Sequence, residues 1–590
     1  MKLAQCRNFV RRRSRSGYAL LIVVGFTSIS LMALAGIVSW SSGNSRQIER
    51  NNTYFTSVSA AEAATEKVLA SISQDFQQSG ENVVAGNLAN YRLLVPSSAE
   101  SSFWSGWEFQ NGAGSSGRTL VDRQFASVFT NLESQYTGLY GIASGYRVIS
   151  NARQTNSSVS GGNFFGAVGQ EIQVANIPIF QFAIFYNVNM EIQPGANMTV
   201  NGRVHSNMGM FVDPGATLTF NNHVTAAADI LDAKAPGDGR SNQSGTTVYN
   251  GESDSRTTSM NMPIGTNNTP EAVRAILQPP PGTESASSAM GLQRFYNKAD
   301  LIVTVNTNGI TIATGGGAKG VTSYTLTSNE VVFVANTNAT FWDAREGKTV
   351  RPVDLDVGNL KTLSTSNLLL RTSLNNLTRD VQSVYVNDLR PMSSSNLAAV
   401  RVKNGQTLPD QGLTVSTEKP IYVQGHYNQP TSGHLGTTNT TATKPAALLG
   451  DSVTVLSSAW TDANSTASLS SRNAGNTTVN AAFLAGIVES STFSSYSGGV
   501  ENFPRMLESW SGDTLTYNGS MVVMFPSKYA TNRWQNTGVY YNAPTRNWAF
   551  DLNFMDSTKL PPGTPMLRTL IRGKWQIIAP GQTNLVTMVN

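Results

Sequence analysis

From Tyr18 to Trp40 the chain runs 23 residues without a charge. At about 1.5 Å per helical residue this is long enough to cross a bilayer core of roughly 30 Å. Polar residues then enter, but a helical stripe persists: Phe55, Val58, Leu69, Ile72 and Phe76 recur at three- and four-residue spacing, with Thr65 filling one gap. Gly80 offers a stop signal. The pattern therefore predicts one helix from Tyr18 to about Gln78, about 90 Å long, apolar in its first half and amphipathic in its second.

After Asn189 the period changes from that of a helix to two, and the sequence repeats itself at an offset of 20. Pro194, Gly195 and Ala196 match Pro214, Gly215 and Ala216, and Met198, Val200 and Val204 match Leu218, Phe220 and Val224. Pro-Gly sets a turn, and the residues after it alternate. A unit this short cannot bury its own core and must stack on its neighbour, which predicts a β-solenoid. A strand phrase with asparagine third occurs at Thr199-Val200-Asn201, Thr219-Phe220-Asn221, Thr478-Val479-Asn480 and Thr516-Tyr517-Asn518. Stacked, those asparagines would form a ladder or hold a tight corner.

Between these stretches the pattern is mixed. Thr269-Pro270-Glu271 reads as a helix start reaching about Leu277, and Pro279-Pro280-Pro281 stops it. A second helical stretch is expected over 288–297, strands over 301–305 and 331–335, and partial helix over 355–375. The expected fold is mainly β: a long N-terminal helix, then a β-solenoid resembling a parallel β-helix, with an α/β insertion. The segments are a basic leader over 1–17, the helix over 18–79 and a membrane-proximal mixed or β region over 80–175. The first solenoid part covers 176–262, the insertion 263–400, and the second solenoid part, with an aromatic-rich C-terminal cap, 401–590.

Composition changes this picture in two places. The formal charge of +5 suggests a polyanion partner until the charges are located. Lys2, Arg7, Arg11, Arg12, Arg13 and Arg15 account for six of the 42 basic residues, leaving 36 against 37 acidic ones. A body so near neutrality gives no basic face for nucleic acid. The cluster instead orients the apolar span, with the leader cytoplasmic and the body outside. Cys6 is the only cysteine; removal of the leader would exclude disulfides, thiolate metal sites and thiol nucleophiles together.

A basic leader ending in Gly17, the aromatic Tyr18, an apolar span and an amphipathic continuation resemble the class III signal and N-terminal helix of type IV pilins and pseudopilins. Ala60-Ala61-Glu62-Ala63-Ala64, after Arg46 and Glu49, is similar to the corresponding segment of PilX-type minor pilins. The resemblance covers roughly residues 10–70. It implies that a prepilin peptidase cuts after Gly17 and that the new amine of Tyr18 is methylated. It also implies that Arg11, Arg12, Arg13 and Arg15 set orientation and that Glu62 serves subunit contacts. Major pilins carry a glutamate five residues after the cut; here that position is Ile22. Lacking that carboxylate is a feature shared with tip-located and priming subunits, so a minor role is implied. The phrases Gly202-Arg203-Val204-His205-Ser206-Asn207, Phe341-Trp342-Asp343-Ala344-Arg345-Glu346-Gly347-Lys348 and Gly498-Gly499-Val500-Glu501-Asn502-Phe503 more loosely resemble large PilX-type envelope proteins with a β-helical body.

The remaining candidate chemistry is sparse. His205 should stack on Thr225 and His223 on Arg203, leaving solvent-facing histidines and no metal set. Asp343, Arg345, Glu346, Lys348, Arg351, Asp354 and Asp356 form a dense charged cluster whose alternating signs predict a salt-bridged surface network. Gly315–Gly320 lacks phosphate-loop spacing and reads as a turn. Among the C-terminal aromatics, Trp534, Tyr540, Tyr541 and Trp548 could face a glycan, although packing and end-capping account for the same residues.

The expected function is that of a minor pilin-like component of a type IV pilus or pseudopilus, displaying an extracellular β-solenoid for assembly priming, tip placement or adhesion. No catalysis, cofactor or nucleic acid is expected. The expected partners are the inner membrane, prepilin peptidase, other pilins or pseudopilins, and a surface glycan. The body would lie in the periplasm before assembly and at the cell surface or pilus afterwards. The alternative is a membrane-tethered β-helix protein that binds or cleaves glycans through carboxylates lining a groove.

Overall fold

The computed structural model describes residues 16–155, 164–315, 323–374, 379–493, 496–534 and 538–585. Helix α1 spans Ser16–Ser79. It ends where the pattern placed it: Gly80 takes φ 85°, a left-handed conformation that glycine adopts without Cβ strain, and its N–H bonds the Phe76 carbonyl at 3.0 Å. Of the stripe residues, Val58, Thr65, Leu69, Ile72 and Phe76 are buried, whereas Phe55, the first of them, stays exposed ahead of the contact with the sheet.

What buries them is an antiparallel sheet. Its centre is the pair Tyr140–Gln154 and Gly166–Pro178. Trp107–Gln110 and Leu120–Asn131 both pair with the first of these, and Met566–Ile577 pairs with the second. The C-terminal strand thus closes a sheet begun more than 400 residues earlier, and it also caps α1. Arg568 donates from one guanidinium nitrogen to the Gln77 carbonyl at 2.9 Å, placing a cation at the negative end of the helix dipole.

Beyond this sheet the body is strand-rich and almost entirely parallel. Three short strands per turn stack on the next turn with Met190 beside Met210, Met198 beside Leu218 and Val204 beside Val224, all at the offset of 20 read from the sequence. Asn221 donates to Asn201 at 2.8 Å and Asn250 to Asn221 at 2.7 Å, so the third-position asparagines form a ladder. Asn518 donates to Asn480 at 2.7 Å in a second one.

The chain then crosses to the far end of the same stack. An eleven-stranded sheet runs from Ser253–Asp254 through Val224–Ala226, Arg203–Ser206 and Phe182–Tyr186 to Met521–Pro526, and then through successively earlier strands to Leu301–Asn306 and Gly309–Thr314. The junction sets Met521 beside Ile184. Three strands of the expected insertion, Leu301–Asn306, Gly309–Thr314 and Ser383–Asp388, belong to this sheet, and Lys348–Asp356 pairs in parallel with Asn396–Lys403 in a six-stranded one. The stretch 263–400 is therefore not set apart from the stack.

The helix start at Thr269 is present: its hydroxyl accepts from the Ala272 N–H ahead of Pro270–Arg274. Residues 331–335, expected as a strand, lie mostly in the helix Ser328–Val334. A reciprocal cap decides this: the Thr327 hydroxyl accepts from the Glu330 N–H and the Glu330 carboxylate accepts from the Thr327 N–H at 2.7 Å, which outweighs the β preference of the valines. Of the glycine-rich stretch, Gly315 closes on the Asp300 carbonyl at 2.8 Å, and the rest lies outside the described residues.

Glu508 is buried within the stack, its carboxylate accepting from the Ser457 hydroxyl at 2.6 Å and the Ser457 N–H at 2.7 Å. Burial is the largest cause of its pKa rising from 4.5 to about 7, and the Ser457 bonds oppose it. A carboxyl whose folded pKa is raised is most at ease protonated. Its contribution is complete below about pH 4.5 and is lost as pH climbs through 7. Glu508→Gln should therefore stabilise the protein at pH 8 by on the order of 3 kcal/mol and change little at pH 4.5. Chemical denaturation of both proteins at the two pH values measures this; an equal shift at both would remove the titration as the cause.

Candidate functional site

The feature that sets this molecule apart is a row of apolar side chains with nothing against them. Every described side chain from 18 to 52 is exposed, including Leu21 at 70%, Phe26 at 68% and Trp40 at 73%. Among the described residues α1 is the helix long and apolar enough to cross a membrane. Burying a single Leu, Ile or Phe side chain is worth about 1.5–3 kcal/mol, so a row of them requires apolar surroundings that this chain does not supply. The one threonine inside the span is compatible with such surroundings, because the Thr27 hydroxyl donates to the Val23 carbonyl at 2.8 Å.

The second half of the helix is held close to the sheet by small residues. Ala60, Ala61 and Ala64 are buried with Phe109, Ala152 and Val168, and Trp104 and Trp107 pack at the border. Opposite them Gly166 leaves so little room that a Cβ there would lie 2.1 Å from the Val58 nitrogen. The alanine-rich segment thus has a structural use: it lets a helix backbone touch a strand backbone. Thr65 completes the contact by bonding Ser150 at 3.1 Å. Glu62 projects outward, and Glu66, one turn on, accepts from Arg572 of the C-terminal strand at 2.7 Å.

Of the residues singled out from sequence, Tyr18 and Ile22 stand exposed at 74% and 57%. Gly17 lies within α1, while Arg11, Arg12, Arg13 and Arg15 fall outside the described residues. The aromatic set does not form an exposed platform. Tyr540 and Tyr541 are buried, Trp534 packs edge-on against Tyr496, and Trp548 packs against Tyr517, beside which the parallel pairing of Thr545–Phe550 with Thr514–Gly519 places it.

The charged cluster, expected at the surface, is folded inward over most of its length, with Arg351 left exposed and Lys348 and Asp356 half-buried. Asp343, Arg345, Glu346 and Asp354 are all buried. Tyr422 donates to Asp343 at 2.7 Å, Arg505 to Glu346 at 2.6 Å and Arg401 to Asp354 at 2.7 Å. Asp356 caps the helix Val357–Ser366 through the Asn359 N–H at 2.8 Å. Burial pulls Arg345 down to about 9 and pushes Glu346 up. Sequence alternation cannot distinguish a solvated charge row from one folded inward, because both alternate. These four carboxylates are held by structural partners and so do not line an open groove.

His205 and Thr225 are in register, as expected, but His205 is buried, not solvent-facing. Its ring lies 5.4 Å from that of Phe185, and burial lowers its pKa to about 4. The reason is that the face of the stack bearing residue 205 is covered by the rest of the body. His223, on the same face, is also largely covered and not solvent-facing, and it meets Glu252 and Asp254, a grouping the sequence did not reveal. The second turn separates paired positions by 29 residues (Val224 beside Ser253), nine more than the first, so an alignment at 20 passes over it.

No family model, curated protein or solved structure matches the chain.

Proposed function

We propose that this chain is a minor, pilin-like subunit whose apolar half-helix sits in the inner membrane before assembly and among the helices of other pilins or pseudopilins afterwards, with the body displayed outside. The observation that carries this reading is the division of α1: an exposed apolar half, then a half seated on an antiparallel sheet. Such a helix has two partners, one within its own chain and one outside it. The sequence around Gly17 and Tyr18 supplies the processing step that converts a membrane anchor into a filament subunit. The absence of a carboxylate at Ile22 removes a buried charge that would need a partner in every repeat of a shaft, which favours a tip or priming position.

We further read the parallel turns as a β-solenoid, on the 20-residue register and the asparagine ladder. A rigid stack of this kind suits display and adhesion, because each turn rests on its neighbour and the whole does not bend locally. Catalysis has little support: of the carboxylates that would perform it, Asp354 and Glu346 are buried in ion pairs, Asp343 is held by Tyr422 and Asp356 caps a helix.

Mass analysis of the protein from its native membrane and from sheared surface material tests the proposal. A chain beginning at Tyr18, N-methylated and present in the sheared fraction, is expected. An intact leader confined to the inner membrane would leave a tethered surface protein and overturn the filament role.

A further inference from the structure

We propose that His223, Glu252 and Asp254 form a binding site for a divalent first-row transition metal of the zinc class. The three side chains bring one imidazole nitrogen and two carboxylate oxygens within 4.8 Å of one another. His223 Nε2 lies 2.7 Å from Asp254 Oδ2 and 3.7 Å from Glu252.

The backbone sets up this meeting. Val224 pairs with Ser253 and Thr225 with Asp254, so in the same register Glu252 stands beside His223. Asp254 lies two residues further along a strand, on the same face. A parallel stack of turns thus presents donors from two neighbouring turns at fixed spacing. The His223 side chain is 10% exposed and held in place by the turns on either side, whereas Asp254 at 46% and Glu252 at 82% can adjust around an ion.

An imidazole among carboxylates suits zinc and its first-row neighbours better than magnesium or calcium, which take oxygen ligands. Three protein donors leave a coordination position for water or an exogenous ligand. His223 also lines a cleft of about 560 Å³, together with Asn222, Gln181 and Leu552, so a ligand has room to reach that position. The nearby cation does not occupy the site, since the Arg203 guanidinium is tied to the carbonyls of Gln135 at 2.7 Å and Thr137 at 2.5 Å. An ordinary histidine–aspartate hydrogen bond accounts for the 2.7 Å contact, but not for a second carboxylate converging on the same nitrogen beside an open cleft.

The test is titration of the detergent-solubilised full chain with Zn²⁺ against a chromophoric chelator. One equivalent is expected to bind saturably. His223→Gln and Asp254→Asn should each weaken binding at least tenfold and Glu252→Gln severalfold, while His434→Gln, which replaces a histidine of the turn Ser432–His434 outside this cluster, should not weaken it. X-ray absorption of the zinc-loaded wild-type chain, which depends on no variant, should report one imidazole and otherwise oxygen ligands. Absence of saturable binding, binding unchanged in His223→Gln, or a spectrum with two or more imidazoles would overturn the assignment.

Discussion

Gly166→Val is expected to lift α1 from its sheet. The added Cβ would meet the Val58 nitrogen at 2.1 Å and the Ser57 carbonyl carbon at 2.4 Å, both backbone atoms of a helix that cannot step aside without uncovering Ala61, Ala64 and Thr65. Overpacking against backbone costs about 1–3 kcal/mol where neighbours can shift, and here the whole contact must shift, so a loss at the upper end of that range or beyond is expected. Hydrogen exchange over 57–79 should accelerate in the variant, while the stacked turns retain their protection. The control is Gly195→Ala, whose Cβ meets nothing within 4 Å; it should leave stability within about 0.5 kcal/mol of wild type. Equal behaviour of the two variants would mean that the close approach does not hold the helix. The consequence would be specific: the apolar half of α1 would remain, but its orientation relative to the rest of the chain would be lost.

Arg401→Ala should be the most damaging change in the body. The side chain is 1% exposed and donates to Asp354 at 2.7 and 2.8 Å and to Asp462 at 2.5 and 3.0 Å, with its guanidinium carbon 5.2 Å from the centre of the Phe341 ring. Removing it leaves the Asp354 carboxylate in the interior with only Lys403, at 3.5 Å, as a cation, and a buried charge that loses its bidentate partner costs about 3 kcal/mol, the lower end of the range for breaking a buried pair. Asp462→Asn should cost far less, about 1 kcal/mol, because that carboxyl is 30% exposed and water can replace the arginine. Urea denaturation of both variants separates the cases. Comparable losses would show that the network is valued for packing and not for charge.

The extent of α1, its stop at Gly80, the 20-residue register and the asparagine ladder were all legible in the sequence, because each rests on residues close together in the chain. Apolar spacing states which side of an element is covered, and a glycine or a repeated strand phrase states where the backbone must turn or stack. What covers each face depends on pairings hundreds of residues apart, and only the tertiary structure decided those. It closed the sheet beneath α1 with Met566–Ile577, and it returned the chain to set Met521 beside Ile184. It turned Asp343, Arg345, Glu346, Asp354 and the ring of His205 inward, and it carried Glu252 and Asp254 to His223 across a turn nine residues longer than the one before. Local pattern fixes the conformation and sidedness of a segment at little entropic cost. The identity of its neighbour is settled only when loops of very different length are closed against one shared core, a cost that rises so slowly with loop length that no short-range signal need announce it.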